Sequence, residues 1–372
     1  AARAQRPPAL HAATAMPPAA MSSPEPANPG IALCLSGGGY RAVLFNAGAV
    51  LRLSEAGLLQ RATRICGVSG GAIVAGLVAV HWSRMAVDGF SPGAVRREII
   101  GPLRALASRT LDGRSVVGGL LFPRSLTEWV SHNFDRELYR GVQFGDLPKA
   151  PGLSIGASQL NSGSRVVFSN EVRSSVGALS ICDPSYPVTD AVCASIAMPP
   201  AFPALRVSES DLDGDARAMQ LADGTLCDPL AIADAQDCRT LWVSDGGGAL
   251  VDEGSLDGKL EQAVRAMEML QHSLRLPPKH ALLSAFQGGR HSGAYWSLRA
   301  TTADYPSDTC LVCPPGRAAE LAALPTRFAA MSDDLQERLV NWGYAICDIA
   351  LRSWFDPSLP HPSEFPYRDR GL

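Results

Sequence analysis

The chain has 372 residues, 33 of them Lys or Arg and 36 Asp or Glu, for a formal net charge of −3. That length can bury a substantial core, and the near-balance of charge excludes a global field that would gather nucleic acid or an anionic membrane, so any lipid contact must be local. Nine cysteines, odd in number and mostly in apolar settings, read as buried thiols of a reducing, cytoplasmic compartment and not as a disulfide framework.

In chain order, residues 1–29 are rich in Ala and Pro without a continuous apolar core, and they read as a disordered leader. One large domain is expected over residues 30–352, followed by a tail at 353–372. Ile31 to Leu35 is a short apolar run ending in glycines, as a buried parallel strand would, and Phe45 to Gly57 has near-helical apolar spacing and a glycine stop. Arg64 to Val68 predicts a second strand and Ile73 to Trp82 a second helix. No charged residue occurs from Ile65 to Ser83, a length that could span a membrane, but four glycines and two serines favour strand, turn and buried helix. Repeated units of this kind predict a parallel sheet covered by helices.

Pro92 to Gly141 reads as an amphipathic helical cap with Trp129, Phe134 and Leu138 among charges. Leu153 to Ser158 and Arg165 to Ser169 read as two strands joined by a polar turn. "CASIAMPPAFPAL" ends a helix in a bend, because Pro199, Pro200 and Pro203 cannot continue it. Strand-to-turn junctions follow at "LADGTLCDP" and "LWVSDGGG", and helices are predicted over Glu261 to Leu274 and Asp333 to Leu351.

The chemistry concentrates in two glycine-rich turns. "ICGVSGGAI" sets Ser69 in the frame Gly67-x-Ser69-x-Gly71 between an apolar strand and an apolar helix, the context of a nucleophile elbow. Such a serine sits at a helix N-terminus, where unpaired N–H groups favour developing negative charge. Upstream, "LCLSGGGYR" carries Gly37, Gly38 and Gly39, whose backbone freedom lets consecutive N–H groups converge on one oxygen. A phosphate loop is excluded by the missing Gly-Lys-Ser/Thr. Arg41 is a candidate for binding an anionic substrate group, or a pin between the loop and a carboxylate.

A serine needs a base within reach. Asp223 and Asp245 each follow an apolar strand and precede a glycine, so either can present a carboxylate at a sheet edge, and either can instead cap a turn. No histidine sits in a motif, although a Ser, Asp, His order using His291 stays open. No cofactor or metal is expected. Cys310-x-x-Cys313 lacks a second pair, and "DLDGD" at 211–215 lacks the glutamate that closes a calcium loop. The apolar stretches near Phe122 and Phe202 read as core packing.

Taken together, these pieces resemble the patatin-like phospholipases, serine lipid acyl hydrolases with a Ser-Asp dyad. The resemblance is carried by "SGGGYR" (Ser36 to Arg41), "GVSGG" (Gly67 to Gly71), "ASIAMPPAFPAL" (Ala194 to Leu205) and "LADG" (Leu221 to Gly224), with "LVNWGYAICDIAL" (Leu339 to Leu351) similar to bacterial members. It implies a three-layer α/β/α fold with a mainly parallel central sheet. It also implies that Ser69 attacks an ester carbonyl, that Asp223 accepts its proton, and that the amides of Gly37, Gly38, Gly39 and Gly70 form the oxyanion hole. The family usually has Asp-Gly-Gly or Asp-Gly-Ala where this chain has Asp223-Gly224-Thr225, and Asp245-Gly246-Gly247 matches those letters literally. Asp223 is preferred because it follows the proline bend at the expected distance and is trailed by "CDPL"; Asp245 is the alternative base. The implied substrate is a phospholipid or related acyl ester met by peripheral membrane contact. An acyltransferase or thioesterase on the same dyad, or a catalytically impaired lipid-binding regulator, is the alternative.

Overall fold

A computed structural model describes residues 28–111, 130–171, 177–199, 202–207, 218–252, 254–309 and 311–372. Most of the expected leader, Phe122, Trp129, the 211–215 segment and Cys310 lie outside the described residues. Nine strands form one sheet: β1 (Asn28–Leu35), β2 (Arg64–Val68), β3 (Gly152–Gln159), β4 (Arg165–Ser169), β5 (Ala178–Ile181), β6 (Leu205–Val207), β7 (Met219–Asp223), β8 (Cys238–Asp245) and β9 (Ser292–Ser297). The main order is β5-β4-β3-β2-β1-β8-β9. The run from β3 to β9 is parallel throughout, and β4 and β7 both pair antiparallel with β3. This is the mixed α/β fold with a mainly parallel central sheet that the strand, turn and helix units implied.

The described helices are α1 (Gly39–Glu55), α2 (Gly70–Val80), α3 (Trp82–Val87), α4 (Pro92–Val95), α5 (Gly101–Ala107), α6 (Val188–Ile196), α7 (Lys259–Leu274), α8 (Leu276–Gln287), α9 (Pro315–Ala322) and α10 (Asp333–Trp354). Because side chains alternate along a strand, the sheet feeds two cores. Leu33, Leu35, Trp242 and Trp296 join α1, α2, α6 and α10 on one face. Ala32, Cys34, Cys66, Leu241, Val243 and Tyr295 meet Leu282 of α8 on the other. None of the described helices is long and apolar enough to cross a membrane, and the uncharged stretch after Ile65 divides into β2 and the eleven-residue α2.

Helices α1 and α10 cross at backbone contact. A Cβ on Gly48 would lie 2.0 Å from the Val340 carbonyl oxygen, and one on Gly343 would lie 1.9 Å from that of Phe45. Arg52 donates to buried Asp348 at 2.8 Å, and Arg352 donates to the other oxygen of the same carboxylate. Residues 353–372 fold back onto α10, where Asn341 donates to the carbonyls of Tyr367 and Gly371 and Leu372 is buried.

Several elements escaped the sequence pattern, β5, β6, α8, α9 and β9 among them. Pro277 and Pro278 sit in the first turn of α8, where a proline costs no hydrogen bond. In β9, Gly293 lies 1.9 Å, measured to an added Cβ, from the Leu241 oxygen. That contact brings β9 against β8 behind a stretch with little β-branched character.

Candidate active site

The two glycine-rich turns and one of the two candidate aspartates meet at the C-terminal edge of the parallel strands. Strand β2 runs along β3 with Val68 opposite Gly156, and β7 runs the other way with Asp223 opposite Ala157. Because β4 occupies the opposite edge of β3 at Ser154 to Ser158, β2 and β7 lie end to end on one edge. Their termini, Ser69 and Asp223, are thereby brought together.

Ser69 occupies a backbone conformation that non-glycine residues rarely adopt, φ 52° and ψ −128°, a local strain of about 1–3 kcal/mol. The surrounding chain holds it there. The Ser69 N–H donates to Ser195 Oγ at 2.8 Å, and Ser195 in turn donates to the Gly156 carbonyl at 2.6 Å. Gly71 is obligatory in this turn, since an added Cβ would stand 2.0 Å from the Leu35 oxygen.

The first glycine loop packs directly on this elbow. A Cβ on Gly37 would fall 2.5 Å from Ser69 Cβ, 3.1 Å from Ser69 Oγ and 2.6 Å from Thr225 Cγ2, and one on Gly70 would fall 2.6 Å from the Gly39 oxygen. Gly38 and Gly39 take φ values of 148° and 62°, which glycine adopts without steric cost. Among the described residues, the N–H groups of Gly37, Gly38, Gly39 and Gly70 donate to no protein acceptor.

Asp223 is buried, and the Ser69 hydroxyl lies near enough to its carboxylate to favour the charged form. Its Oδ1 also accepts from the Thr225 N–H at 2.9 Å and from Thr225 Oγ1 at 2.6 Å. Thr225 thus gives the carboxylate one hydrogen bond more than a Gly or Ala could. Burial raises the Asp223 carboxyl above the ordinary aspartate range, and the hydrogen bonds from Thr225 and Ser69 and the charge of Arg275 oppose it. The backbone of Asp223 is fixed by its own N–H, which donates to Ala197 O at 2.8 Å, and by Ser158 Oγ, which donates to its carbonyl at 2.9 Å.

Asp245, the alternative base, lies at the end of β8 among other partners. Oδ1 accepts from Arg275 at 2.8 Å and from the Gly247 N–H at 3.0 Å, while Oδ2 accepts from Arg299 and the Tyr295 hydroxyl, each at 2.8 Å. Burial alone would raise this carboxyl, but the two arginines, Tyr295 and the amide outweigh it and hold it at about 2. Both oxygens of this carboxylate are thus taken by donors other than Ser69.

Arg41, the candidate substrate ligand or loop pin, has its donors engaged within the protein. It is 2% exposed, and its donors go to the carbonyls of Gly246 and Leu324 and to Thr326 Oγ1. Burial and the neighbouring Arg275 lower it to about 9. It fastens the glycine loop to two other segments. His291 is distant from the elbow, bonded through Nδ1 to the Cys238 carbonyl at the opposite end of β8, so the triad with His291 does not form.

Ser195, Ser158 and Arg275 carried no signal in the sequence. The two serines are ordinary letters in apolar strings, and Arg275 follows an amphipathic helix. No group of metal-ligating side chains occurs among the described residues, and the eight described cysteines are free thiols.

The family model described as patatin-like phospholipase matches residues 33–235, more than half of the chain and a span that holds both glycine turns, Ser69 and Asp223 but not Asp245. Among solved structures, VipD from Legionella pneumophila is 15% identical with a TM-score of 0.41, covering 89% of this chain and 68% of its own. Human GIVD cytosolic phospholipase A2 is 12% identical with a TM-score of 0.45, covering 87% of this chain. This chain thus spans 61% of that human protein's length. Comparison with curated proteins finds no match. With the family model spanning both turns and the aspartate that meets them, the chain belongs to the patatin-like phospholipase family, the lipid acyl hydrolases.

Proposed function

We propose that this protein hydrolyses acyl esters of phospholipids or related lipids through a Ser69-Asp223 dyad. The observation that carries the reading is the strained Ser69 elbow after β2, brought beside the buried Asp223 carboxylate at the end of β7 and faced by unengaged amides of the Gly37–Gly39 loop. Asp223 takes the proton as Ser69 attacks the ester carbonyl. The tetrahedral oxyanion is received by N–H groups of the loop and of Gly70, each worth roughly 3 to 4 kcal/mol when aimed at the developing charge. The alcohol leaves with the proton returned by Asp223, and water then releases the acyl chain from Ser69 by the same steps in reverse. Burial keeps water from competing for the lone pairs of the base.

Contact with a lipid surface is supported by α7. Its Gln271 reaches Thr225 Oγ1 at 3.5 Å, while Met269, Leu270 and Leu274 on the same helix are 52%, 64% and 43% exposed. Exposed apolar side chains beside a buried site suit an interface where the substrate itself is apolar.

The test is covalent. A fluorophosphonate with a long acyl chain should label Ser69, as read by peptide mass spectrometry, and vesicles of phosphatidylcholine should yield free fatty acid. Labelling of Ser69→Ala equal to that of the wild type would end the proposal. The base is tested through Thr225. Removing its hydroxyl with Thr225→Ala deletes a bond that stabilises the carboxylate, so the Asp223 pKa rises further and the acidic limb of the kcat/KM profile moves to higher pH. Thr225→Ser should leave that limb in place.

A further inference from the structure

Gly37 and Gly38 share one planar peptide group, and in a trans peptide the N–H points opposite to the C=O. Whatever holds the Gly37 carbonyl therefore also aims the Gly38 N–H. That holder is Arg275, whose Nη2 donates to the Gly37 oxygen at 2.9 Å. The guanidinium is fixed in turn, because Nη1 donates to Asp245 at 2.8 Å and to the Pro229 carbonyl at 3.1 Å. It is 7% exposed, and the Gly247 backbone packs so closely on it that an added Cβ would stand 2.8 Å from its Cζ.

The clamp answers a specific weakness. A peptide between two glycines can turn over by paired rotation at almost no steric cost, and Gly38 already lies at φ 148°. Turned over, it would present an electron-rich oxygen where the oxyanion forms. We infer that Arg275 is the positioning residue of the oxyanion loop, gripping the Gly37 carbonyl so that the Gly38 N–H stays turned toward Ser69. Its buried charge also favours the ionised form of Asp223, so one side chain serves both halves of the site from outside it. Asp245 acquires a function by the same route, as the anion that keeps Arg275 in place.

This inference rests on the Ser69-Asp223 reading, and the experiment separates the two. Purified wild type, Arg275→Ala and Arg275→Lys are compared for fluorophosphonate labelling of Ser69, for kcat and KM on phosphatidylcholine vesicles, and for the pH profile of kcat/KM. Circular dichroism of each variant reports its fold. Arg275→Ala should lose on the order of 100-fold in kcat, the cost of one misaimed oxyanion donor, with KM within about threefold. Its acidic limb should move to higher pH, and added guanidinium ion should restore part of kcat. Arg275→Lys keeps the charge but has no fork to span Gly37 and Asp245 together, so it should retain the pH profile and lose kcat. A wild type unlabelled at Ser69 would sink the dyad reading and this inference with it. Labelled wild type with kcat unchanged in either variant, or a loss in KM alone, would overturn the role of Arg275 and leave the dyad standing.

Discussion

Ser69→Ala and Asp223→Asn are each expected to lower kcat by about ten-thousand-fold or more, and the double variant by no more than the worse single one, because a nucleophile without its base and a base without its nucleophile fail at the same step. The measurement is steady-state release of fatty acid from phospholipid, with the fold checked by circular dichroism. Independent, multiplying losses would mean that the two side chains do not act as a unit. Asp223→Asn carries a second expectation of opposite sign. Burial raises this carboxyl, so its ionised form at neutral pH is a cost to the folded state. Its contribution to stability is fully present only below the ordinary aspartate range and is lost as pH rises through the elevated value. Replacing the charge by an amide that still accepts from Thr225 should therefore raise the melting temperature at pH 7 while activity disappears. Such exchange of stability for function is a mark of a working site.

Asp245→Asn should do the reverse and destabilise the protein by about 3–5 kcal/mol, because it leaves the partly buried cations of Arg275 and Arg299 without their counter-charge. Its midpoint in urea unfolding should fall accordingly. The pH dependence follows from the depressed carboxyl. The stability supplied by ionised Asp245 is complete above the ordinary aspartate range near 4 and is lost as pH falls through about 2. The Asn variant lacks this titration, so the stability difference between it and the wild type should shrink as pH falls from about 4 through about 2. An unchanged urea midpoint in Asp245→Asn would show that the arginine cluster does not bear on stability. Two aspartates with the same Asp-Gly context thus separate by the sign of one substitution: one is kept at a cost to the fold, the other holds the fold together.

That contrast also marks where the sequence stops. The elbow and the glycine loop were legible because their constraints are local. Gly67 and Gly71 are forced by atoms within a few residues or by the neighbouring strand β1, and three consecutive glycines from Gly37 declare their backbone freedom in the letters themselves, although what presses on Gly39 is the distant backbone of Arg327. The strand, turn and helix alternation likewise announced a parallel sheet, since burial on both faces needs continuous apolar runs. Helix α8 and strand β9 were hidden, the first because prolines at a helix start look like breakers, the second because a glycine that admits a neighbouring backbone looks like a turn.

The choice of partner could not be local. Asp223 and Asp245 differ in what lies across from them: β7 doubles back along β3 and meets the end of β2, while β8 lies across β1 among arginines from positions 275 and 299. Arg41 stayed open between two readings for the same reason, because an arginine after a glycine loop shows its charge in the sequence but not the carbonyls that consume its donors. The sequence by itself determined which backbone turns can receive a negative oxygen. Only the tertiary structure decided which carboxylate lies beside them and which cation bonds the Gly37 carbonyl, since partners 150 to 240 positions apart are assigned by sheet order and not by spacing along the chain.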